Sequence, residues 1–166
     1  AASVNVRAVD ETAAYARAAV CFGADRIAGH THLGFPGNST GYMGRLWYAH
    51  DVSAVTAACM MVRKTVYQEV GGMDARFEVA YNDVDLCMKI REKGYLIVTN
   101  PYCELYHYES KTRGYEDTEE KQIRFQREVA LFREKWQHVL DKGDPYYNPQ
   151  LSLDRPDFYF VGDQLP

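Results

Sequence analysis

The middle third of this sequence constrains the fold more than any other part. Asn82–Lys93 has the apolar spacing of an amphipathic helix, Gly94 ends it, and Tyr95–Thr99 is rich in residues that strands prefer. Upstream, Val52–Val62 has the pattern of a buried strand, and Lys64–Val70 that of a short helix closed by two glycines. This alternation predicts an α/β fold. The strands are few for 166 residues, so we expect an incomplete sheet.

The flanking regions add further elements and two long stretches without regular periodicity. Between Ile27 and Met43 the chain is rich in Gly, Pro, Asn and Ser, which predicts a long irregular loop of the kind that often carries function. The run from Asp144 to Pro149 begins an extended, aromatic tail. The other predicted elements are helices over Glu11–Ala18 and Thr118–Leu140 and strands over Ala19–Phe22 and Tyr102–His107.

Composition narrows the class of protein. Apolar residues make up 46% of the chain and charged residues 25%, as in soluble globular proteins, and the net charge of −4 gives no general attraction to nucleic acid or anionic membranes. No apolar run is long enough to span a membrane, and no signal peptide is recognisable, so we expect a cytoplasmic protein. Four widely spaced cysteines predict buried free thiols: Cys21, Cys59, Cys87 and Cys103.

Two carboxylates open the central helix. If Asn82 is the N-cap, Asp83 and Asp85 fall in the first turn, where the helix dipole favours negative charge. Apolar residues follow Asp83 at spacings of three, four and seven, which places it at the head of the inward face. Asp85 falls on a solvated face, where it can pair with Lys89. An inward carboxylate at a helix start is a candidate general base, and capping or a buried salt link is the alternative.

An ordered series of motifs resembles the second half of the family 2 glycosyltransferases with the GT-A fold. The motifs are Cys59–Lys64, Val70-Gly71-Gly72-Met73-Asp74, Asn82-Asp83-Val84-Asp85-Leu86-Cys87 and Pro101–His107. The loop from His30 to Gly44 and the aromatic tail are similar to bacterial members that build surface polysaccharides. The resemblance implies that residues 1–115 form the acceptor-side, carboxy-terminal part of a GT-A domain with a partial mixed sheet. Residues 116–166, the long helix and the tail, would pack on it.

The resemblance also implies roles for individual residues. Asp83 would be the catalytic base, and Asn82 stands before it where the family commonly has Glu. His107 would help to bind the metal-diphosphate, although a strand-end histidine is also often a structural hydrogen-bonding residue. Lys111 and Arg113 would offer cations to the diphosphate unless they are simply solvated charges. The residues expected to bind or shape the acceptor and donor sites are Asn82, Asp85, Gly71, Gly72, Trp47, Tyr48, Lys111 and Arg113.

The implied reaction moves a sugar from a nucleotide-sugar donor to a hydroxyl of a saccharide or lipid-linked saccharide, with inversion. A divalent cation, Mg²⁺ or Mn²⁺, would be bound mainly by the amino-terminal half of such a domain. Nothing upstream of Asp51 supplies the nucleotide-binding units or the metal-binding acidic motif of that half. We therefore expect this chain to be a fragment, inactive alone, whose parent protein works in the cytoplasm or at the inner face of the membrane.

Two other classes of function compete with this interpretation. A metal-dependent hydrolase would require a cluster of ligands to converge: His30, His32, Asp83, Asp85 and His107. A non-catalytic interaction module would dock to a partner through the long helix and the aromatic tail. Neither explains the ordered motif series.

Overall fold

The computed structural model describes residues 2–3, 17–21, 25–32, 35–102 and 118–161, with the backbone alone for 2–3 and 17–20. Its strands are β1 (Ala2–Ser3), β2 (Arg17–Val20), β3 (Ala28–His30), β4 (His50–Val52), β5 (Ala54–Val55) and β6 (Ile97–Thr99). Its α-helices are α1 (Lys64–Glu69), α2 (Asn82–Glu92) and α3 (Glu119–Leu140), and two short 3₁₀ turns cover Tyr42–Gly44 and Ala57–Cys59. The mixed α/β class is thus confirmed.

The strands form two small sheets that share one stretch of chain. In the first, β6 lies between β1, which is parallel to it, and the antiparallel β4. In the second, β2 lies between β3 and β5, antiparallel to both. Only Ser53 separates β4 from β5, so consecutive residues enter different sheets. The buried Ser53 hydroxyl donates to an Asp144 carboxylate oxygen at 2.6 Å, which fixes this crossing point.

The predicted strand over Val52–Val62 is wrong beyond Val55. The Thr56 hydroxyl accepts a hydrogen bond from the Ala58 N–H at 3.4 Å and caps the turn Ala57–Cys59. A side chain that bonds its own backbone competes with a ladder for the same groups, so the apolar run leaves the sheet here. The strand predicted to begin at Ala19 begins two residues earlier in the structure, because Arg17 and Ala18 belong to β2 rather than to a helix.

The predicted helices in the described ranges agree with the structure, whereas β3 lies inside the stretch predicted to be an irregular loop and Cys21 and Tyr102 lie in turns rather than strands. Helices α1, α2 and α3 lie within one residue of their predicted bounds, and β6 lies within the predicted strand. Thr118 caps α3 by accepting from the Lys121 N–H at 3.4 Å. None of the described helices is both long and apolar enough to cross a membrane. The predicted elements over 11–16 and 103–107 lie outside the described residues.

The main core lies where α2 packs on β5 and β6, and α3 contributes residues to the same buried cluster. The long helix α3 contributes the buried residues Phe132, Trp136 and Leu140, and α2 buries Leu86 and Ile90 against them. Cys87 is fully buried in this core, and burial raises the pKa of its thiol to about 12. Cys21 and Cys59 are only half-buried, so the prediction of buried thiols is wrong for these two, and Cys103 lies outside the described residues.

The carboxy-terminal segment is not extended, which corrects the prediction of an extended tail. It turns back on itself, so that Leu151 pairs with Phe160 in an antiparallel bridge. The Phe158 ring stacks on the Tyr42 ring with 4.8 Å between ring centroids. Tyr147 belongs to the same buried cluster as Phe158. The aromatic residues of the segment therefore close a second small core against the long loop after β3.

Candidate functional site

The site is built at the start of α2, where the chain enters the helix through a left-handed residue. Tyr81, rather than the predicted Asn82, is the N-cap, and its φ is +61°. Such a φ is uncommon for a large side chain, so it needs support from its surroundings. The Tyr81 ring packs near Phe125 and Phe132, and its hydroxyl donates to the Asp25 carboxylate. Burial and the nearby Asp25 charge raise the pKa of the Tyr81 hydroxyl, which keeps it a donor.

Asp83 lies in the first turn of α2 and is half-buried. One carboxylate oxygen accepts a hydrogen bond from the Ala57 N–H at 2.9 Å, and the other accepts from the Val84 N–H at 2.8 Å. The side chain points to the 3₁₀ turn after β5. Leu86, Cys87 and Ile90 follow Asp83 on the same face and are buried, so Asp83 heads an inward face of α2 as predicted. Two backbone donors fix its orientation, and its partial exposure leaves it accessible.

Asp85 is buried more deeply than Asp83. It is fully buried, so the predicted solvated face is wrong, while its predicted pairing with Lys89 is confirmed at 3.4 Å. The long helix α3 covers this face and brings two partners to one carboxylate oxygen: Lys135 Nζ at 2.6 Å and the Trp136 indole N–H at 2.8 Å. Lys135 and Trp136 thus engage Oδ1, while the buried Oδ2 has only the Lys89 ammonium near it among the described contacts.

Lys135 extends this ionic cluster to the Gly-Gly-Met-Asp motif. Its Nζ lies 3.2 Å from an Asp74 carboxylate oxygen, and Arg76 grips the same carboxylate through Nε at 3.0 Å and Nη2 at 2.7 Å. The hydrogen bonds from Arg76 hold the pKa of Asp74 well below its usual range, with Lys135 adding to the effect. One lysine therefore ties the end of the α1 motif to the start of α2.

The lowered pKa predicts an acid-sensitive contribution to stability. Because the folded-state pKa of Asp74 lies below the unfolded value of about 3.9, its stabilising effect is complete above that value and is lost as the pH falls through the folded pKa. In urea unfolding between pH 6 and pH 3, we expect Asp74→Asn to lose less free energy of unfolding than the unmodified chain. Identical pH profiles for the two proteins would contradict this assignment.

Gly71 and Gly72 close α1 as the sequence predicts, with φ values of +76° and +65°. The Gly72 N–H donates to the Tyr67 carbonyl at 2.8 Å and the Gly71 N–H to the Gln68 carbonyl at 3.1 Å, which is the Schellman arrangement. The Tyr67 ring folds under Gly72, and its hydroxyl accepts from the Met73 N–H at 3.3 Å. The two glycines thus differ in their surroundings although both are left-handed.

This difference predicts unequal effects of the same substitution. A Cβ at Gly71 meets nothing within 4 Å, whereas a Cβ at Gly72 would lie 2.9 Å from the Tyr67 ring. We expect Gly71→Ala to cost about 1–2 kcal/mol for the left-handed backbone, and Gly72→Ala to cost at least about 1 kcal/mol more because the ring must move. Urea unfolding followed by circular dichroism measures both. Equal losses in the free energy of unfolding would show that the close approach of the Tyr67 ring to Gly72 adds no cost.

The remaining predicted site residues do not join this cluster through the described contacts. Trp47 and Tyr48 are exposed, with 61% and 47% of their surface accessible, so their ring faces are available to a ligand. His32 is buried against Phe158. Its Nε2 accepts from the Tyr42 N–H at 3.2 Å, and its Nδ1 lies 3.2 Å from the Thr31 hydroxyl, so both ring nitrogens have protein partners. The predicted His107, Lys111 and Arg113 lie outside the described residues.

A metal-dependent hydrolase is poorly supported by this arrangement. Asp85 is engaged by lysines, Asp83 faces the turn after β5, and His32 lies in an aromatic cluster. Within the described ranges, no three His, Cys, Asp or Glu side chains are placed to hold a metal ion. The predicted ligands among them therefore do not converge on one point.

Glu128 is the functional candidate that the sequence interpretation missed. This fully buried carboxylate of α3 accepts hydrogen bonds from three successive N–H groups just before α2, those of residues 78–80. A signal was present, because Glu128 follows Phe125 by three residues and precedes Phe132 by four. A carboxylate on that apolar stripe must find partners when it is buried.

Comparison with known proteins places this chain beside segments of longer bacterial proteins. It is 46% identical over 142 residues to the uncharacterized protein y4gI of Sinorhizobium fredii (strain NBRC 101917 / NGR234), a match to 85% of this chain and 16% of that protein. It is 33% identical over 141 residues to the O-antigen biosynthesis protein RfbC of Myxococcus xanthus, a match to 84% of this chain and 11% of that protein. No family model and no solved structure matches the chain.

A third relative carries the name of a specific transferase. Over 63 residues, 38% of this chain and 20% of the relative, it is 32% identical to the N-acetylglucosaminyl-diphospho-decaprenol L-rhamnosyltransferase of Mycobacterium tuberculosis (strain CDC 1551 / Oshkosh). The chain thus spans no more than a fifth of any of these three relatives. By these similarities, the chain is related to glycosyltransferase-like proteins of bacterial polysaccharide synthesis.

Proposed function

We propose that the protein containing this chain is an inverting family 2 glycosyltransferase of the GT-A fold, in which Asp83 is the catalytic base. It would transfer a sugar from a nucleotide sugar to a hydroxyl group of a saccharide or lipid-linked saccharide. The observation that carries the proposal is the placement of Asp83: a half-buried carboxylate at a helix start, held by two backbone N–H groups. The relatives named for O-antigen biosynthesis and rhamnosyl transfer support the class of reaction.

The geometry of Asp83 suits proton removal from an acceptor hydroxyl. Each carboxylate oxygen has two lone pairs, and each accepts one of the two described backbone hydrogen bonds. A second lone pair on each oxygen is therefore available to the hydroxyl. An ionised carboxylate fits this role, because the hydroxyl becomes acidic only as its oxygen attacks the anomeric carbon. The neighbouring Asp85 cannot substitute, since Lys135, Lys89 and Trp136 already engage it.

The leaving nucleoside diphosphate gathers negative charge that needs stabilisation. A divalent cation, Mg²⁺ or Mn²⁺, would supply it. We expect its ligands to come mainly from the parent protein outside this chain, with His107 contributing from this chain and Lys111 and Arg113 adding positive charge. Exposed Trp47, with Tyr48 beside it, would offer a ring face to an acceptor sugar. Gly71, Gly72 and Asn82 would shape the acceptor side around Asp83.

The test is release of nucleoside diphosphate by the protein expressed from the full natural reading frame, measured across a panel of nucleotide sugars. We expect release from at least one donor with Mg²⁺ or Mn²⁺, loss of release in EDTA, and recovery when the cation is restored. The 166-residue chain alone should release none. Turnover by the chain alone would refute its dependence on the rest of the parent. Absence of release from every donor, with saccharide and lipid-linked acceptors supplied, would count against the transferase.

A further inference from the structure

The buried carboxylate of Glu128 holds the chain immediately before the candidate base. One of its oxygens accepts from the Glu78 N–H at 3.0 Å and the Val79 N–H at 3.2 Å, and the other accepts from the Ala80 N–H at 2.7 Å. The residue is fully buried, and Arg124 Nε lies 3.9 Å from the first oxygen. Three charge-assisted bonds from consecutive residues leave this short segment little freedom.

The clamped segment leads directly to Asp83. Only Tyr81 and Asn82 lie between Ala80 and Asp83, and Tyr81 is held in its left-handed conformation by packing and by the bond to Asp25. The first hydrogen bond of the helix joins the Asp85 N–H to the Tyr81 carbonyl at 2.8 Å. The direction in which α2 starts, and with it the approach of Asp83 to the Ala57 N–H, therefore follows from where the segment is held.

Glu128 has a structural role, because an apolar residue in its place would leave three N–H groups without their acceptor. Those N–H groups stand at the entrance to the candidate site, so the same hydrogen bonds also fix the chain that leads to Asp83. We propose that Glu128 is a positioning residue that orients Asp83 for catalysis through residues 78–80, an inference that rests on the proposed function.

The decisive experiment is a double-mutant cycle in the full natural reading frame, assayed with the nucleotide sugar that supports turnover and with Mg²⁺. We expect Glu128→Gln to lower kcat by about 10- to 100-fold, while donor-binding stoichiometry is retained and the KM for the donor changes by less than about threefold. The matched control Glu134→Gln removes an exposed carboxylate from the same helix and should leave kcat unchanged. The donor-binding stoichiometry gives the fraction of each variant that is folded, and each rate is divided by that fraction.

The second side of the cycle separates positioning from folding. In an Asp83→Asn background, Glu128→Gln should change the residual rate by less than about twofold, because the residue it orients is gone. An equal loss in both backgrounds would overturn the positioning role. Hydrogen exchange gives an independent readout: faster exchange confined to residues 78–84 supports the role, and faster exchange throughout α2 and α3 contradicts it. A failure of the proposed function would appear separately, as Asp83→Asn retaining full release.

Discussion

Asp83→Asn is expected to lower kcat for nucleoside diphosphate release by about 10²- to 10⁴-fold in the full natural reading frame, the usual contribution of a general base. The amide nearly matches the carboxylate in shape and still offers an oxygen to the Ala57 or Val84 N–H, so the helix start should persist. It cannot take a proton from the acceptor. Steady-state release and donor binding are the measurements, and donor affinity should change little.

The control for this prediction is the stability of the folded variant. We expect the free energy of unfolding of Asp83→Asn to fall by no more than about 1 kcal/mol, the scale of a helix-terminal hydrogen bond or charge. A large rate loss with intact donor binding then reports on chemistry. A variant that retains full release would exclude Asp83 as the base, while the relationship to glycosyltransferase-like proteins would stand.

Asp85→Asn should affect stability rather than the rate, with a loss of about 3–5 kcal/mol in the free energy of unfolding. The substitution removes a buried charge that lies 2.6 Å from Lys135 and 3.4 Å from Lys89, two half-buried cations, and leaves Lys135 with the Asp74 carboxylate at 3.2 Å. It also turns an acceptor of the Trp136 indole N–H into a group that must be oriented correctly to accept. Urea unfolding of the 166-residue chain, followed by far-ultraviolet circular dichroism, measures the loss.

The same substitution two residues away is the matched comparison. Asp83→Asn and Asp85→Asn remove one carboxylate each from the first turn of α2, yet the first should affect the rate and the second the stability. A loss below about 1 kcal/mol for Asp85→Asn would mean that the cations find other partners or water, which is the behaviour of surface pairs. Adding Lys135→Met to Asp85→Asn should recover part of the loss, since it removes one of the two cations that have lost the Asp85 charge.

The sequence predicts this fold best where the signals are local. Thr118 before a charged run, Gly94 after an apolar stripe and the two glycines after α1 each act on neighbouring residues, and those helix ends agree with the structure. The strand from Val52 is overextended because the bond between Thr56 and Ala58 is a local competitor that residue preference does not show.

The wrong prediction of a solvated Asp85 has a different cause. A helical wheel describes only the helix that it represents, and it ranks Asp85 as solvated because Lys89 and Glu92 share its face. Helix α3 covers that face and contributes the partners Lys135 and Trp136, fifty or more positions away. The tail is misjudged in the same way, since its aromatic residues find their partners in the loop after β3. Contacts at such a separation leave no local pattern.

Helix α3 also fixes the spacing between the two motifs that it contacts. Glu128 holds the segment before α2, and Lys135 and Trp136 hold Asp85, about two helical turns and roughly 10–12 Å further along. Inserting or deleting one residue between these anchors would rotate one set by about 100° relative to the other. Surface loops can drift in length during evolution, but this interval cannot change by a single residue without detaching one of the motifs from the helix.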